Sequence, residues 1–146
     1  INIPGPNMLI KDYRIIPNLT RALILKEELN IYDRGYQTRT YCYITDAING
    51  FLRVIFKDEK FGIYNIGNDQ NEISVIELVE ITEKVMSTKI NYKITPYPKE
   101  YPADQPQRRC PDISNAKKNL NYEPKVSLQE GLKRHFDFSK VFSKKI

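Results

Sequence analysis

The stretch Gly35-Tyr36-Gln37-Thr38-Arg39-Thr40-Tyr41-Cys42-Tyr43-Ile44-Thr45-Asp46 carries the pattern that decides the fold. A glycine turn opens it, a run of β-branched and aromatic residues follows, and Thr45-Asp46 introduces an amphipathic segment, so it predicts turn, strand and helix. Arg39 stands at the start of that strand. A guanidinium stays protonated at working pH and offers a planar fork of donors, which suits it to a phosphate or carboxylate. Spacing alone favours a plainer reading, a surface arginine in a solvated ion pair.

Upstream, Ile1 to Pro6 reads as a strand entering a turn, and apolar spacing predicts a helix from about Ile16 to Lys26, with Pro17 tolerable only in its first turn. Leu29-Asn30-Ile31-Tyr32 is a short strand, expected to pair with the central one. Downstream, Asp46 to Phe56 is a helix with Ala47, Ile48, Phe51, Leu52 and Ile55 on one face, capped by the oxygen of Thr45 or Asp46. Phe61 to Gly67 reads as a strand and 68–71 as a loop, and Ser74 with Glu77 forms a capping box for a helix running to about Met86. Ile90 to Ile94 alternates as a strand does. Four prolines between Pro96 and Pro106 then impose an extended loop that ends in Arg108-Arg109. Asp112 or Ser114 caps a short helix through Leu120, and Ser127 with Glu130 forms a second capping box for a helix containing Leu128, Leu132 and Phe136. Strands alternating with helices indicate an α/β fold.

A chain of 146 residues supports one core. Its 23 Lys and Arg against 18 Asp and Glu give a net charge of +5, which favours anionic partners, although Lys140, Lys144 and Lys145 lie in the tail, where solvation explains them equally. Two cysteines, Cys42 and Cys110, and one histidine, His135, are too few and too widely spaced for a zinc site or a disulfide framework. A reducing cytoplasm fits this usage best. No apolar run is long enough for a membrane span. A beginning without Met, in what reads as a strand, suggests a piece of a larger protein.

The glycines at positions 5, 35, 50, 62, 67 and 131 nowhere make the Gly-rich turn that cradles a dinucleotide or a nucleoside triphosphate. No tyrosine is followed four residues later by lysine, and one histidine offers no persuasive Ser-His-Asp set. The chain alone therefore shows no self-sufficient catalytic site. What it does show is a candidate anion site, Arg39 beside a turn and Arg108-Arg109 at the end of the proline-rich loop, with Asn2, Asn18 and Gln37 as neutral donors and acceptors. A solvated basic turn accounts equally for Arg108-Arg109. Tyr32 could line a base pocket, but an aromatic on a short strand more often packs in a core or at a rim. A basic nucleic-acid binder is disfavoured, because no stripe of Lys and Arg interleaves with aromatics.

Taken in order, these residues resemble a family. Asn2-Ile3-Pro4-Gly5-Pro6-Asn7-Met8, Arg14-Ile15-Ile16-Pro17-Asn18, Ile31-Tyr32-Asp33 with Gly35 and Gln37-Thr38-Arg39, and Tyr43-Ile44-Thr45-Asp46-Ala47 are similar to segments of the extended short-chain dehydrogenases acting on nucleotide sugars. Tyr64-Asn65-Ile66-Gly67-Asn68, Pro106-Gln107-Arg108-Arg109-Cys110-Pro111-Asp112-Ile113 and Tyr122-Glu123-Pro124 with Glu130-Gly131-Leu132 continue the series. Pro4 and Asn7 depart from the family's tyrosine and arginine. The likeness is greatest to UDP-glucuronate decarboxylases, with dTDP-glucose dehydratases and UDP-hexose epimerases behind.

The resemblance implies the C-terminal, substrate-binding lobe of such an enzyme, mainly helical with short strands, spanning residues 1–146 and lacking an upstream Rossmann core. It implies that Arg39 and Arg109 bind a nucleotide diphosphate, that Asn2, Asn18, Tyr32 and Gln37 line the substrate pocket, and that Arg14 lies toward the cofactor. NAD would be held mainly by the upstream part of a homodimeric parent, and no catalytic residue or metal is assigned within this chain. The parent's chemistry would be transient oxidation at the sugar C4, leading to decarboxylation, dehydration or epimerisation. A non-catalytic nucleotide- or carbohydrate-binding module is the alternative.

Overall fold

Helices and short strands alternate along the chain, as the periodicities predict. The computed structural model describes residues 2–57, 62–70, 72–97 and 106–142. The first helix, α1, covers Ile15–Ile24, with Pro17 in its first turn. It ends two residues short of the predicted Lys26, which itself takes a φ of 60° that no helix can continue. Asn2 makes an isolated parallel bridge to Tyr41 in place of the strand expected there, and Ile1 lies outside the described residues. Asn7, at φ 61°, occupies the left-handed region that asparagine enters more readily than most residues.

Strand β1, Leu29–Tyr32, lies where predicted but does not pair with the central strand. Positive φ values at Asp33, Arg34 and Gly35 turn the chain away after Tyr32, and a Cβ on Gly35 would stand 2.7 Å from Ile31 Cγ2. The partner of β1 is instead β4, Tyr92–Thr95, parallel and with Leu29 opposite Tyr92. The central strand, β2, shrinks to Thr38–Arg39. It sits between β3, Ile73–Ser74, antiparallel to it, and β5, Arg108–Arg109, parallel to it.

Helix α2, Ile44–Ile55, follows Tyr43 with no side-chain cap, so neither Thr45 nor Asp46 fills the predicted role. Asp46 is buried inside the first turn, where Oδ2 accepts the Lys125 and Val126 amides at 3.0 and 2.9 Å and ties the helix to the chain beyond Tyr122. Its apolar face departs further from the expected packing. Ala47 is buried, but Ile48, Phe51, Leu52 and Ile55 are 45–69% exposed. The contact side is the narrow one through Gly50, where a Cβ would meet Ile66 Cγ2 at 2.4 Å, so close approach there turns the larger apolar side chains outward. Nor do residues 62–66 form the expected strand. Side-chain amides of Asn115 and Asn65 tie this run to α4, Ser114–Leu120, and its approach, and no strand runs beside it among the described residues.

Helix α3, Val75–Met86, starts with the predicted capping box: Glu77 N donates to Ser74 Oγ, and Ser74 N to Glu77 Oε2. Only half of the second box forms at α5, Leu128–Phe142, because Glu130 N donates to Ser127 Oγ while the Glu130 carboxylate pairs with Arg134 one turn on. The main core lies between α1, β1, α3 and α5, where Leu19, Ile31, Leu78, Leu132 and Phe136 are buried. A second cluster of Ile66, Ile113, Ala116, Leu120 and Tyr122 backs α2 and α4. Buried His135 links α5 to two distant segments through Nδ1 to Gly5 O at 2.7 Å and Nε2 to Thr20 Oγ1 at 2.9 Å. No helix among the described residues is long and apolar enough to cross a membrane.

Candidate functional site

Register builds the site. In the parallel pairing of β2 with β5, Thr38 lies opposite Arg108 and Arg39 opposite Arg109. Successive side chains on a strand point to opposite faces, so the Arg108-Arg109 pair must send its guanidiniums to different sides. Arg108 reaches Glu72 at 2.8 Å, and Thr38 donates a short hydrogen bond to the same carboxylate. Those bonds, Thr38 first, hold the Glu72 carboxyl below its ordinary value. Arg109 faces a cavity of about 440 Å3, and its guanidinium has no hydrogen-bond or ion-pair partner among the described residues. Arg39 lines the same cavity and lies over the backbone, donating to Thr38 O at 2.7 Å and Gln107 O at 3.2 Å. Two guanidiniums on facing residues repel unless an anion lies between them.

The cavity wall is completed by Asn2, Tyr13, Arg14, Ile15, Gln37, Thr40, Tyr41, Val75, Tyr97, Cys110 and Pro111. Of the seven residues to which the family resemblance gives a binding role, five are thus brought together: Asn2, Arg14, Gln37, Arg39 and Arg109. Asn18 and Tyr32 are not in the wall. Asn18 Nδ2 donates to Tyr13 O at 2.7 Å and Arg14 O at 3.0 Å, so it supports the turn that carries two lining residues. Tyr32 packs against the ring of Tyr97 with centroids 5.4 Å apart. Arg14 spends its charge locally, with Nε and Nη2 on Asp12 Oδ2 at 2.9 and 2.6 Å, and these bonds hold the Asp12 carboxyl below its ordinary value. Most of the proline-rich loop, 98–105, lies outside the described residues.

Sequence reasoning missed Tyr97 and Tyr41. Gln37 Nε2 makes long contacts of 3.4 Å to Tyr32 O and to the Tyr97 hydroxyl. Burial, reinforced by Asp33 and opposed by Arg39, raises the Tyr97 phenol above its usual range. Tyr41 was findable: in an extended stretch Gln37, Arg39 and Tyr41 share one face, and all three line the cavity. The donor set suits a phosphorylated, hydroxyl-rich ligand. Among the described residues no three His, Cys, Asp or Glu cluster as a metal site would require.

The α/β arrangement is that of the extended short-chain dehydrogenase epimerases. Residues 2–135 match the GDP-mannose 4,6 dehydratase family, and the chain belongs to it. It is 36% identical over 91% of its length to UDP-glucuronic acid decarboxylase 1 of Arabidopsis thaliana, and 37% identical over 90% to decarboxylase 5 of the same plant. It spans 29% and 37% of those two proteins. Among solved structures, UDP-glucuronic acid 4-epimerase from Bacillus cereus, in complex with UDP-glucuronic acid and NAD, superposes with a TM-score of 0.85 at 26% identity, over 97% of this chain and 43% of that one. An epimerase from Methanothermobacter thermautotrophicus gives a TM-score of 0.86 at 27% identity, over 99% and 42%.

Proposed function

We propose that this chain is the substrate-binding part of an NAD-dependent nucleotide-sugar enzyme similar to UDP-glucuronate decarboxylases, and that its cavity of about 440 Å3 receives the nucleotide diphosphate of a UDP-sugar. The observation that carries this reading is the register that sets Arg39 directly opposite Arg109. Each guanidinium supplies charge-assisted hydrogen bonds to a diphosphate oxygen, and the repulsion between the two is relieved when the anion arrives. Asn2 and Gln37 contribute neutral contacts from the wall, while Asn18 and Tyr32 act behind it, through Tyr13, Arg14 and Tyr97.

The residues present do not make a dinucleotide site. No Gly-rich turn opens a helix, and the guanidinium of Arg14, proposed to lie toward the cofactor, is engaged by Asp12. NAD is therefore assigned to sequence beyond this chain, consistent with the 29–37% of the plant decarboxylases that the chain spans. The outward apolar face of α2 supports the same division, since Ile48, Phe51, Leu52 and Ile55 offer a surface for such a segment to cover. The free thiols of Cys42, which is buried, and Cys110 support a reducing, cytoplasmic setting. Calorimetric titration tests the assignment: UDP is expected to bind at least about tenfold more tightly than uridine, one charge-assisted contact or more in free energy. Equal affinities for UDP and uridine would remove the diphosphate site. No turnover of UDP-glucuronate is expected from the 146-residue chain alone.

A further inference from the structure

Two polar atoms in the cavity's lining residues have no partner among the described residues. The Tyr41 hydroxyl and Gln37 Oε1 are both closed to solvent and make no hydrogen bond to the described residues, although Tyr41 is only 4% exposed and Gln37 9%. Buried polar atoms in folded proteins are nearly always paired, so two orphans in one cavity wall call for a specific explanation. The amide nitrogen of Gln37 already donates to Tyr32 O and the Tyr97 hydroxyl, which leaves its oxygen as an acceptor seeking a donor. A phenol can donate or accept. Both belong to the same face of the extended stretch as Arg39, two residues to either side of it.

Building on the proposed diphosphate site, we infer that Tyr41 is a ligand-binding residue whose hydroxyl, together with Gln37 Oε1, pairs with a hydroxyl-bearing ring attached to the diphosphate that Arg39 and Arg109 hold. The ring is either the ribose or the sugar, which present the same chemistry. A phosphate oxygen does not satisfy the pair, because Gln37 Oε1 needs a donor and an ionised diphosphate offers only acceptors. Burial also holds the Tyr41 phenol far above its ordinary pKa, so the group stays a neutral donor despite the cation beside it. Since both atoms are covered in the free chain, the lining must give slightly as the ring seats, and the ligand then supplies the bonds that the protein lacks.

The test is Tyr41→Phe, which keeps the buried ring and deletes only the oxygen. Two readouts are taken on the 146-residue chain: thermal unfolding without ligand, and calorimetric affinity for UDP and for UDP-glucose. The variant is expected to unfold at the same or a higher temperature, because it loses an unpaired buried group, and to bind the ligand about 3- to 10-fold more weakly. Weaker binding of both ligands places the contact on the ribose, and weaker binding of UDP-glucose alone places it on the sugar. Unchanged affinity for both, with the unsubstituted chain binding UDP, overturns this inference and leaves the diphosphate site standing. A lower unfolding temperature shows a partner in the free protein and overturns it too. Failure of the unsubstituted chain to bind UDP overturns both.

Discussion

Arg109→Ala separates an anion site from a decorative surface charge, because it moves two observables in opposite directions. Arg39 and Arg109 face each other across β2 and β5, whose backbones lie about 4.8 Å apart, which sets the length scale on which their charges interact. Unit charges at that distance repel by about 0.8 kcal/mol in bulk water and about 3 kcal/mol at an effective dielectric constant near 20. Arg109 is exposed and salt screens it, so the lower figure applies. Its removal should leave the unliganded chain as stable as before, or more stable by a few tenths of a kcal/mol to about 1 kcal/mol. The same change deletes charge-assisted bonds of roughly 1.5–3 kcal/mol and weakens UDP binding by about one to two powers of ten. Arg39→Ala should weaken UDP binding likewise, and Arg109→Lys should restore the charge without restoring the affinity, since the ammonium lacks the planar fork. Arg108→Ala is the internal control. Its side chain is committed to Glu72 outside the cavity, so UDP affinity should change by less than about threefold. Chemical denaturation and calorimetry read both quantities. If Arg39→Ala and Arg109→Ala bind UDP as tightly as the parent chain, or Arg108→Ala weakens it most, the site is misassigned.

Asp46→Ala strands the Lys125 and Val126 amides that one carboxylate oxygen now accepts, and should lower unfolding stability by about 2–4 kcal/mol in a denaturant titration. His135 gives a pH dependence: burial lowers its pKa below the usual value, so the folded chain takes up its proton less readily than the unfolded one. Its contribution is whole above about pH 6.5 and declines as pH falls from there through the depressed folded pKa, so the unfolding temperature should drop as pH falls below about 6.5. In His135→Gln that slope should flatten, and an equally steep slope would point to other groups. Phe51→Glu, on the outward face of α2, should leave stability almost unchanged and reduce concentration-dependent association seen by light scattering; a large loss of stability would mean that this face is packed within the chain.

What could be read from sequence divides along the range of the interactions. The Ser74–Glu77 capping box and the helix it starts depend on groups three residues apart, and both form as predicted. Strand β1 and its alternation were legible for the same reason. Its partner was not, because three successive positive φ values after Tyr32 redirect the chain, and only one of those residues is a glycine that would announce such a turn. The apolar face of α2 was legible as a face but not as an outward one. Amphipathic spacing reports that a stripe needs covering, and says nothing of whether the covering element belongs to the same chain. Asp46 was misread as a cap because its true partners, at 125 and 126, are 79 and 80 residues away.

The site follows the same division. Arg39 and Arg109 stand out as residues, but nothing in their 70-residue separation says that they meet. The meeting depends on a parallel pairing only two residues long, too short to be fixed by strand propensity. Glu72 supplies what propensity cannot: one carboxylate accepts from Thr38 on β2 and pairs with Arg108 on β5, and those two residues are themselves opposite in the register. With that side of the pairing clamped, the pleat sends the next residue of each strand, Arg39 and Arg109, toward the cavity. The residue that reads as an incidental basic neighbour, Arg108, is therefore part of what aims the arginine beside it. A one-residue slip would exchange the two, presenting Arg108 to the ligand and burying the charge logic of the pocket. The Tyr41 and Gln37 atoms that lack partners among the described residues sit on the same short extended stretch, so its register carries both the charged and the neutral half of the proposed binding surface.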